Sequence, residues 1–185
     1  MKRKIKTVAV YCGHEFGLNP AFVRDAGMMG ELIAKNGLDM VFGGGNVGLM
    51  GTVSSAALNN GGHVIGVSTG HVIAKQEPAH DKIDVKVVRG VNERKQKMFE
   101  LSDAFIIMPG GIGTLNEATD ILTMQQIGET KKPIFFLNTN RFWAPFHDLI
   151  IDMLNNKFIE SLDEYNVSIA STPEELINWV LEYKL

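Results

Sequence analysis

The 185-residue chain carries 18 Lys and Arg against 21 Asp and Glu, a formal net charge of −3, with 45% apolar and 21% charged residues. That balance fits one soluble globular domain over residues 1–185 and offers no basic footprint for nucleic acid. The basic opening, Met1 to Lys6, precedes an apolar run too short for a signal core or a membrane span, and a lone Cys12 permits no internal disulfide. The expectation is a cytoplasmic protein with no membrane partner.

Thr7 to Cys12 is a continuous apolar run, the pattern of a strand buried on both faces of a parallel sheet. From Pro20 to about Lys35, Phe22, Val23, Ala26, Met29, Ile33 and Ala34 recur at helical spacing, and Asn36-Gly37 supplies a stop. Leu38 to Phe42 reads as a second strand, the glycine-rich Gly43 to Gly51 leads into a helix of small residues ending near Asn60, and Val64 to Val67 reads as a third strand. The pattern then weakens: Ser68 to Lys82 predicts a loop with room for a short helix. Asp84 to Arg89 is a fourth strand, Asn92 to Leu101 a helix, and Ala104 to Met108 a buried strand. A helix running on through Ile127, a strand over Pro133 to Asn138, a helix over Trp143 to Asn155 and a last helix opening at Thr172-Pro173 complete the chain. Alternating strands and helices predict a Rossmann-like α/β three-layer sandwich, a mostly parallel sheet with helices on both faces and ligands at the C-terminal strand ends.

Two glycine turns carry the functional signal. Pro109-Gly110-Gly111-Ile112-Gly113-Thr114 joins a buried strand to a helix, where glycines permit positive φ and close approach, and Thr114 is placed to cap the helix. Free N–H groups and the positive helix end at such a turn make an anion site, most often for phosphate. Glu117 follows within the first turn. The same Thr114 to Glu117 segment also fits a capping box in which Glu117 merely returns to the Thr114 N–H.

The second turn, Gly43-Gly44-Gly45-Asn46-Val47-Gly48-Leu49-Met50-Gly51, satisfies G-x-G-x-x-G. The dinucleotide fingerprint also needs an acid roughly 20 residues on, and no Asp or Glu occurs from Met40 to Gln76. Gly44, Gly45, Gly48, Met50 and Gly51 therefore read as a phosphate cradle without a ribose anchor, or as close helix–sheet packing. Neither turn contains Gly-Lys-Ser/Thr, which argues against a P-loop nucleotidase. In Asn92 to Met98 the charges Glu93, Lys95 and Lys97 fit a solvated face, whereas Arg94, at a helix start beside the strand ends, is positioned to pair with a phosphate or carboxylate. His14 and His71 follow strand ends; His63, His80 and His147 have no suggestive context. Neither an HExxH nor a Cys/His cluster appears, so no metal and no cofactor are expected, and the absence of Gly-x-Ser-x-Gly leaves serine hydrolysis unsupported.

With GGGNVGLMG, NERKQKM and PGGIGTLNE in this order, the chain from roughly Val8 to Leu137 resembles the LOG ("Lonely Guy") family, also described as lysine-decarboxylase-like. The resemblance implies a Rossmann-like homodimer that hydrolyses a nucleoside 5′-monophosphate, a cytokinin riboside monophosphate or AMP-like purine nucleotide, to free base and ribose 5-phosphate. By position, it places the catalytic pair on Arg94 and Glu117, the phosphate loop on Gly110, Gly111, Ile112, Gly113 and Thr114, and the second basic residue of the RK pair on Lys95. No particular lysine is marked as a pyridoxal-phosphate carrier, and a phosphate cradle with Arg and Glu does not explain decarboxylation. The chain departs from the family pattern at His14-Glu15 in place of Ser-Ser, at Asn92 in place of His, at Asn116 in place of the first Glu, and at Met124 in place of an aromatic. Those positions bear on base preference. Molybdenum-cofactor carriers are similar in both glycine motifs, which leaves a non-catalytic carrier as the alternative.

Overall fold

The computed structural model describes residues 3–70 and 82–185. Seven strands, β1 (Thr7–Tyr11), β2 (Asp39–Phe42), β3 (Val64–Thr69), β4 (Asp84–Val88), β5 (Ala104–Ile107), β6 (Ile134–Leu137) and β7 (Val167–Ala170), form one sheet in the order β4-β3-β2-β1-β5-β6-β7. All six pairings are parallel, and β1 sits at the centre: Val10 pairs with Phe42 on one side and Ile106 on the other. Among the described residues the α-helices are α1 (Pro20–Lys35), α2 (Gly48–Asn59), α3 (Val91–Leu101), α4 (Ile112–Gln126), α5 (Ala144–Asn155) and α6 (Pro173–Glu182).

The apolar runs form strands because each must bury both faces. Val8, Val10, Met40, Phe42 and Ile106 enter one core with Ala26, Met29 and Ile33 of α1 and Leu176, Ile177 and Val180 of α6. Their alternate neighbours Ala9, Tyr11, Val41, Phe105 and Ile107 enter the opposite core with Met98 of α3 and Ala118 and Ile121 of α4. Helices α1 and α2 pack closely because Gly30 lacks a side chain: a Cβ there would lie 2.2 Å from the Val53 carbonyl oxygen. At the far end of the sheet, the Asp103 carboxylate accepts hydrogen bonds from the Lys6 and Thr7 N–H groups, at 2.9 and 3.1 Å, and pairs with Arg3, fixing the entry into β1. A buried Asp25 on α1 accepts the Thr139 hydroxyl at 2.6 Å, joining α1 to the segment after β6.

Two readings change. Ser68 and Thr69, expected in a loop, extend β3, where they pair with Val87 and Val88 of β4; residues 71–81 of that loop, with His71 and His80, lie outside the described residues. Strand β7 had no expectation at all. It is a four-residue edge strand with one fully buried residue, and a Ser in its middle breaks the apolar run. No helix among the described residues is long and apolar enough to cross a membrane.

Candidate active site

Strands β1 and β5 are neighbours, but the chain leaves them toward opposite faces of the sheet, β1 into α1 and β5 into α4. That divergence opens a crevice at their C-terminal ends, where doubly wound folds bind ligands. Two backbone bonds draw the loops around it together: Gly13 N–H donates to the Pro109 carbonyl at 3.0 Å, and Met50 N–H donates to the Gly13 carbonyl at 3.2 Å.

Helix α1 is capped by the Asn19 side chain and α6 by Thr172, whereas α2, α3, α4 and α5, starting after Val47, Gly90, Gly111 and Trp143, have no side-chain cap. Uncapped N–H groups and the positive helix end give α4 the properties of an anion site. Its first turn is also open. Gly111, Ile112 and Gly113 are exposed, and a Cβ added to Gly111 or Gly113 would meet nothing within 4 Å.

Thr114 does not cap α4 as the sequence suggested. It is the third helical residue, buried, with its hydroxyl and Cβ filling the space that a side chain on Gly110 would need. Nor do the three glycines use positive φ: none of Gly110, Gly111 and Gly113 is among the left-handed glycines, which include Gly44 and Gly48. The value of Gly111 and Gly113 is the bare surface they leave.

Glu117, one turn further along α4, bonds across to α3 rather than back to Thr114. Its Oε1 accepts from Arg94 Nη1 at 3.3 Å, while Arg94 Nε donates to the Val67 carbonyl within β3 at 2.9 Å. Both side chains are largely buried, 19% and 13% exposed. Burial is the main cause that pushes the Glu117 carboxyl up from 4.5 to about 7; the Arg94 and Lys95 cations pull it down and Asp120 adds to the rise. A carboxyl titrating near neutrality is suited to proton transfer at physiological pH. Beneath it, burial and then the Glu117 charge push the Tyr11 phenol and the Cys12 thiol up, which keeps both neutral.

Lys95 is not on a solvated face. Its ammonium pairs with Asp120 and donates to Asn116 Oδ1 at 3.2 Å, bridging α3 to α4. Lys97, by contrast, makes only a loose pair with Glu100 within its own helix, at 3.8 Å. The Gly43 to Gly51 turn is used mostly for packing. A Cβ on Gly48 would lie 2.2 Å from the His14 carbonyl carbon, and one on Gly51 2.2 Å from the Asn46 oxygen. Gly44 lies over Ser68, Gly45 is buried, and Met50 places its sulfur near Gly43. Tyr11 went unread as a neighbour of Glu117, since an aromatic ending an apolar run reads as core. Its strand alternation was the available signal, because it sets Tyr11 on the α4 side of β1.

A cavity of about 180 Å³ adjoins the phosphate-ready loop, walled by Phe16, Phe22, Leu49, Phe142, Pro109 and Gly110, with His14 and Glu15 at its rim. A larger cavity of about 400 Å³ lies between α4, α5 and β7; His147 is among its lining residues, but Arg94, Lys95, Glu117 and the two glycine turns are not.

A doubly wound parallel sheet with an open glycine loop and a buried Arg–Glu pair at its switch point defines a Rossmann-like α/β protein with a candidate anion site. The family model described as "Possible lysine decarboxylase" matches residues 50–180. The cytokinin riboside 5′-monophosphate phosphoribohydrolase of Rhodococcoides fascians is 42% identical over 93% of this chain and 87% of its own length. The enzyme of the same name, LOG, from Oryza sativa subsp. japonica is 35% identical over 98% of this chain and 75% of its own. Among solved structures, the molybdenum cofactor binding protein from Rippkaea orientalis superposes with a TM-score of 0.68 at 30% identity, with 96% of each chain covered. The molybdenum cofactor carrier protein from Chlamydomonas reinhardtii, at 22% identity and TM-score 0.67, shares the fold. The chain belongs to the LOG family of lysine-decarboxylase-like proteins.

Proposed function

We propose that the chain is one nucleotide-binding domain that hydrolyses the N-glycosidic bond of a nucleoside 5′-monophosphate, releasing free base and ribose 5-phosphate. The observation that carries this reading is the placement of Glu117. Its buried carboxyl, poised near pH 7 and held by Arg94, lies one turn beyond an open, uncapped helix start. The N–H groups of Ile112, Gly113 and Thr114 hold the 5′-phosphate, which brings the ribose toward Glu117. Cleavage breaks the C1′–N bond as positive charge develops on the ribose. Glu117 as carboxylate stabilises that charge or relays a proton from the attacking water; the water's hydroxyl ends on C1′ and its other proton on the departing base nitrogen. Arg94 orients Glu117, and Lys95 locks α3 to α4 behind it. Relatives named as phosphoribohydrolases, at 35 and 42% identity, support the reaction.

Within this reading the base is a purine, a cytokinin or plain adenine, and His14 and Glu15 at the rim of the aromatic-walled cavity bear on the choice. The protein is cytoplasmic and forms a homodimer. Ile127, Leu149 and Phe158, exposed apolar residues on α5 and the segments flanking α4 and α5, support self-association.

The test is product release. The protein is incubated with AMP, GMP, CMP and isopentenyladenosine monophosphate, and free base is followed by chromatography. Release that disappears in Glu117→Gln supports the reading. Absence of release from every nucleotide, with a bound pterin instead, would favour cofactor binding of the kind named for the Rippkaea orientalis protein. Light scattering of the same preparation reads the oligomer.

A further inference from the structure

We infer that Gly43, the first glycine of the Gly43 to Gly51 turn, is a positioning residue for Arg94 and binds no phosphate itself. This rests on the proposed roles of Arg94 and Glu117 and extends them to a residue that contacts neither substrate nor Glu117. Gly43 follows the last residue of β2 and is buried. A Cβ built on it would lie 1.9 Å from Arg94 Nη2 and 3.1 Å from Arg94 Cζ, so the guanidinium rests directly on the bare α-carbon. Three supports then fix that planar group. The Val67 carbonyl within β3 takes Nε, Glu117 on α4 takes Nη1, and the Gly43 α-carbon backs Nη2.

The opposing atoms distinguish Gly43 from its neighbours in the turn. At Gly48 and Gly51 an added methyl would strike main-chain atoms, of His14 and of Asn46, and Gly48 also has φ +61. Those two shape the loop itself. At Gly43 the φ is one that any residue adopts, and the atoms within 3.4 Å are the ends of two flexible side chains, Arg94 and Met50. An added methyl therefore leaves the fold standing and pushes the guanidinium off its seat. The spacing G-x-G-x-x-G thus joins two unrelated demands, a bare seat at Gly43 and a tight loop at Gly48 and Gly51.

Displacement of Arg94 must register at Glu117. The charged and titratable groups around that carboxyl are Arg94 and Lys95 from α3, Asp120 from its own helix, Tyr11 at the end of β1 and Cys12 just after it. Arg94 is the largest of those that favour the ionised form. Moving it away raises the carboxyl further, by about one pH unit for a cation leaving hydrogen-bond range.

The experiment is a carbon-13 titration of the Glu117 carboxyl, assigned by its loss in Glu117→Gln, in the natural protein and in Gly43→Ala. It needs no catalysis, so it reads the seat even if no nucleotide is hydrolysed. The expected result is a midpoint about one pH unit higher in Gly43→Ala. An unchanged midpoint in a folded Gly43→Ala overturns the inference. The same titration in Arg94→Ala and in Gly43→Ala/Arg94→Ala closes the cycle: with the guanidinium gone, the methyl at position 43 should move the midpoint no further. A further shift there overturns the inference as well. Should Gly43→Ala fail to fold, removing the arginine must restore folding in the double variant; a double variant that is also unfolded shows that Gly43 serves the backbone alone.

Discussion

The ionisation assigned to catalysis also weakens the fold, and Glu117→Gln separates the two effects. The Glu117 carboxyl holds its proton to about pH 7 in the folded state, against an ordinary 4.5 in the unfolded chain. Between those values the folded protein binds a proton that the unfolded chain has released, so stability falls as pH rises through the window and stays low above it. At ~1.4 kcal/mol per pH unit the full effect is about 3 kcal/mol, of which only about 1 kcal/mol has appeared at pH 5. The side chain is only 13% exposed, so solvent screening takes little from this figure. A neutral amide of the same shape escapes the penalty and still offers Arg94 an oxygen. The stability advantage of Glu117→Gln over the natural protein should therefore grow by about 2 kcal/mol between pH 5 and pH 8, or ~4–8 °C in Tm at this chain length. Urea unfolding of both proteins at pH 5, 6, 7 and 8 measures it, and every other titrating group cancels in the difference. Parallel stability curves would refute the claim that burial holds this carboxyl near neutrality. Base release should be lost in the same variant, so the substitution that strengthens the fold abolishes the reaction.

Other substitutions test the remaining parts of the site and its frame. Arg94→Ala removes the main cation lowering Glu117, so the acid limb of kcat/KM should move to higher pH, and the rate at pH 7 should fall by about a hundredfold or more; an unmoved limb would detach Arg94 from Glu117. Gly113→Ala adds a methyl where nothing lies within 4 Å, so its melting temperature should stay put while KM rises about tenfold if phosphate docks there. An unchanged KM would place the phosphate elsewhere. Gly48→Ala meets both a φ of +61 and the His14 main chain, and urea unfolding should show a loss of about 2 kcal/mol or more. Asp103→Ala strips the acceptor from two N–H groups at the start of β1, and the same assay should show a loss of ~2–3 kcal/mol, without change in KM.

The strands of the central sheet were legible because burial on both faces leaves no polar alternation to confuse the reading. Val8 to Tyr11, Met40 to Phe42 and Ala104 to Ile107 are uninterrupted for that reason. Strand β7 sits at the edge, needs only one buried residue, and so left no run to find. Helix starts were legible at Asn19 and Thr172, where a side chain does the capping, and within one residue at the uncapped α3 and α5; the start of α4 was misleading. Thr114 matched a capping box in sequence, yet α4 begins two residues earlier at Ile112, because its free N–H groups face open space instead of a side-chain oxygen. Glycine spacing showed where backbone is bare. It could not show what lies opposite, which is solvent at Gly113, main chain at Gly48 and a guanidinium at Gly43.

The pair Arg94 and Glu117 was legible only through family resemblance, since 23 residues and a strand separate them in the chain. Physically, they meet because β5, between α3 and α4, carries the chain across beneath the site. Helix α3 enters at its N-terminal end and α4 departs at its C-terminal end, which sets the first turns of both helices side by side at the same edge of the sheet. Lys95 to Asp120 repeats the Arg94 to Glu117 contact one step along each seam, at +1 on α3 and +3 on α4. The two differ in solvent: Glu117 is 13% exposed and Asp120 42%. Burial is what pushes the Glu117 carboxyl to about 7 despite its two neighbouring cations, and it makes Glu117 a carboxyl with a proton to move near neutral pH.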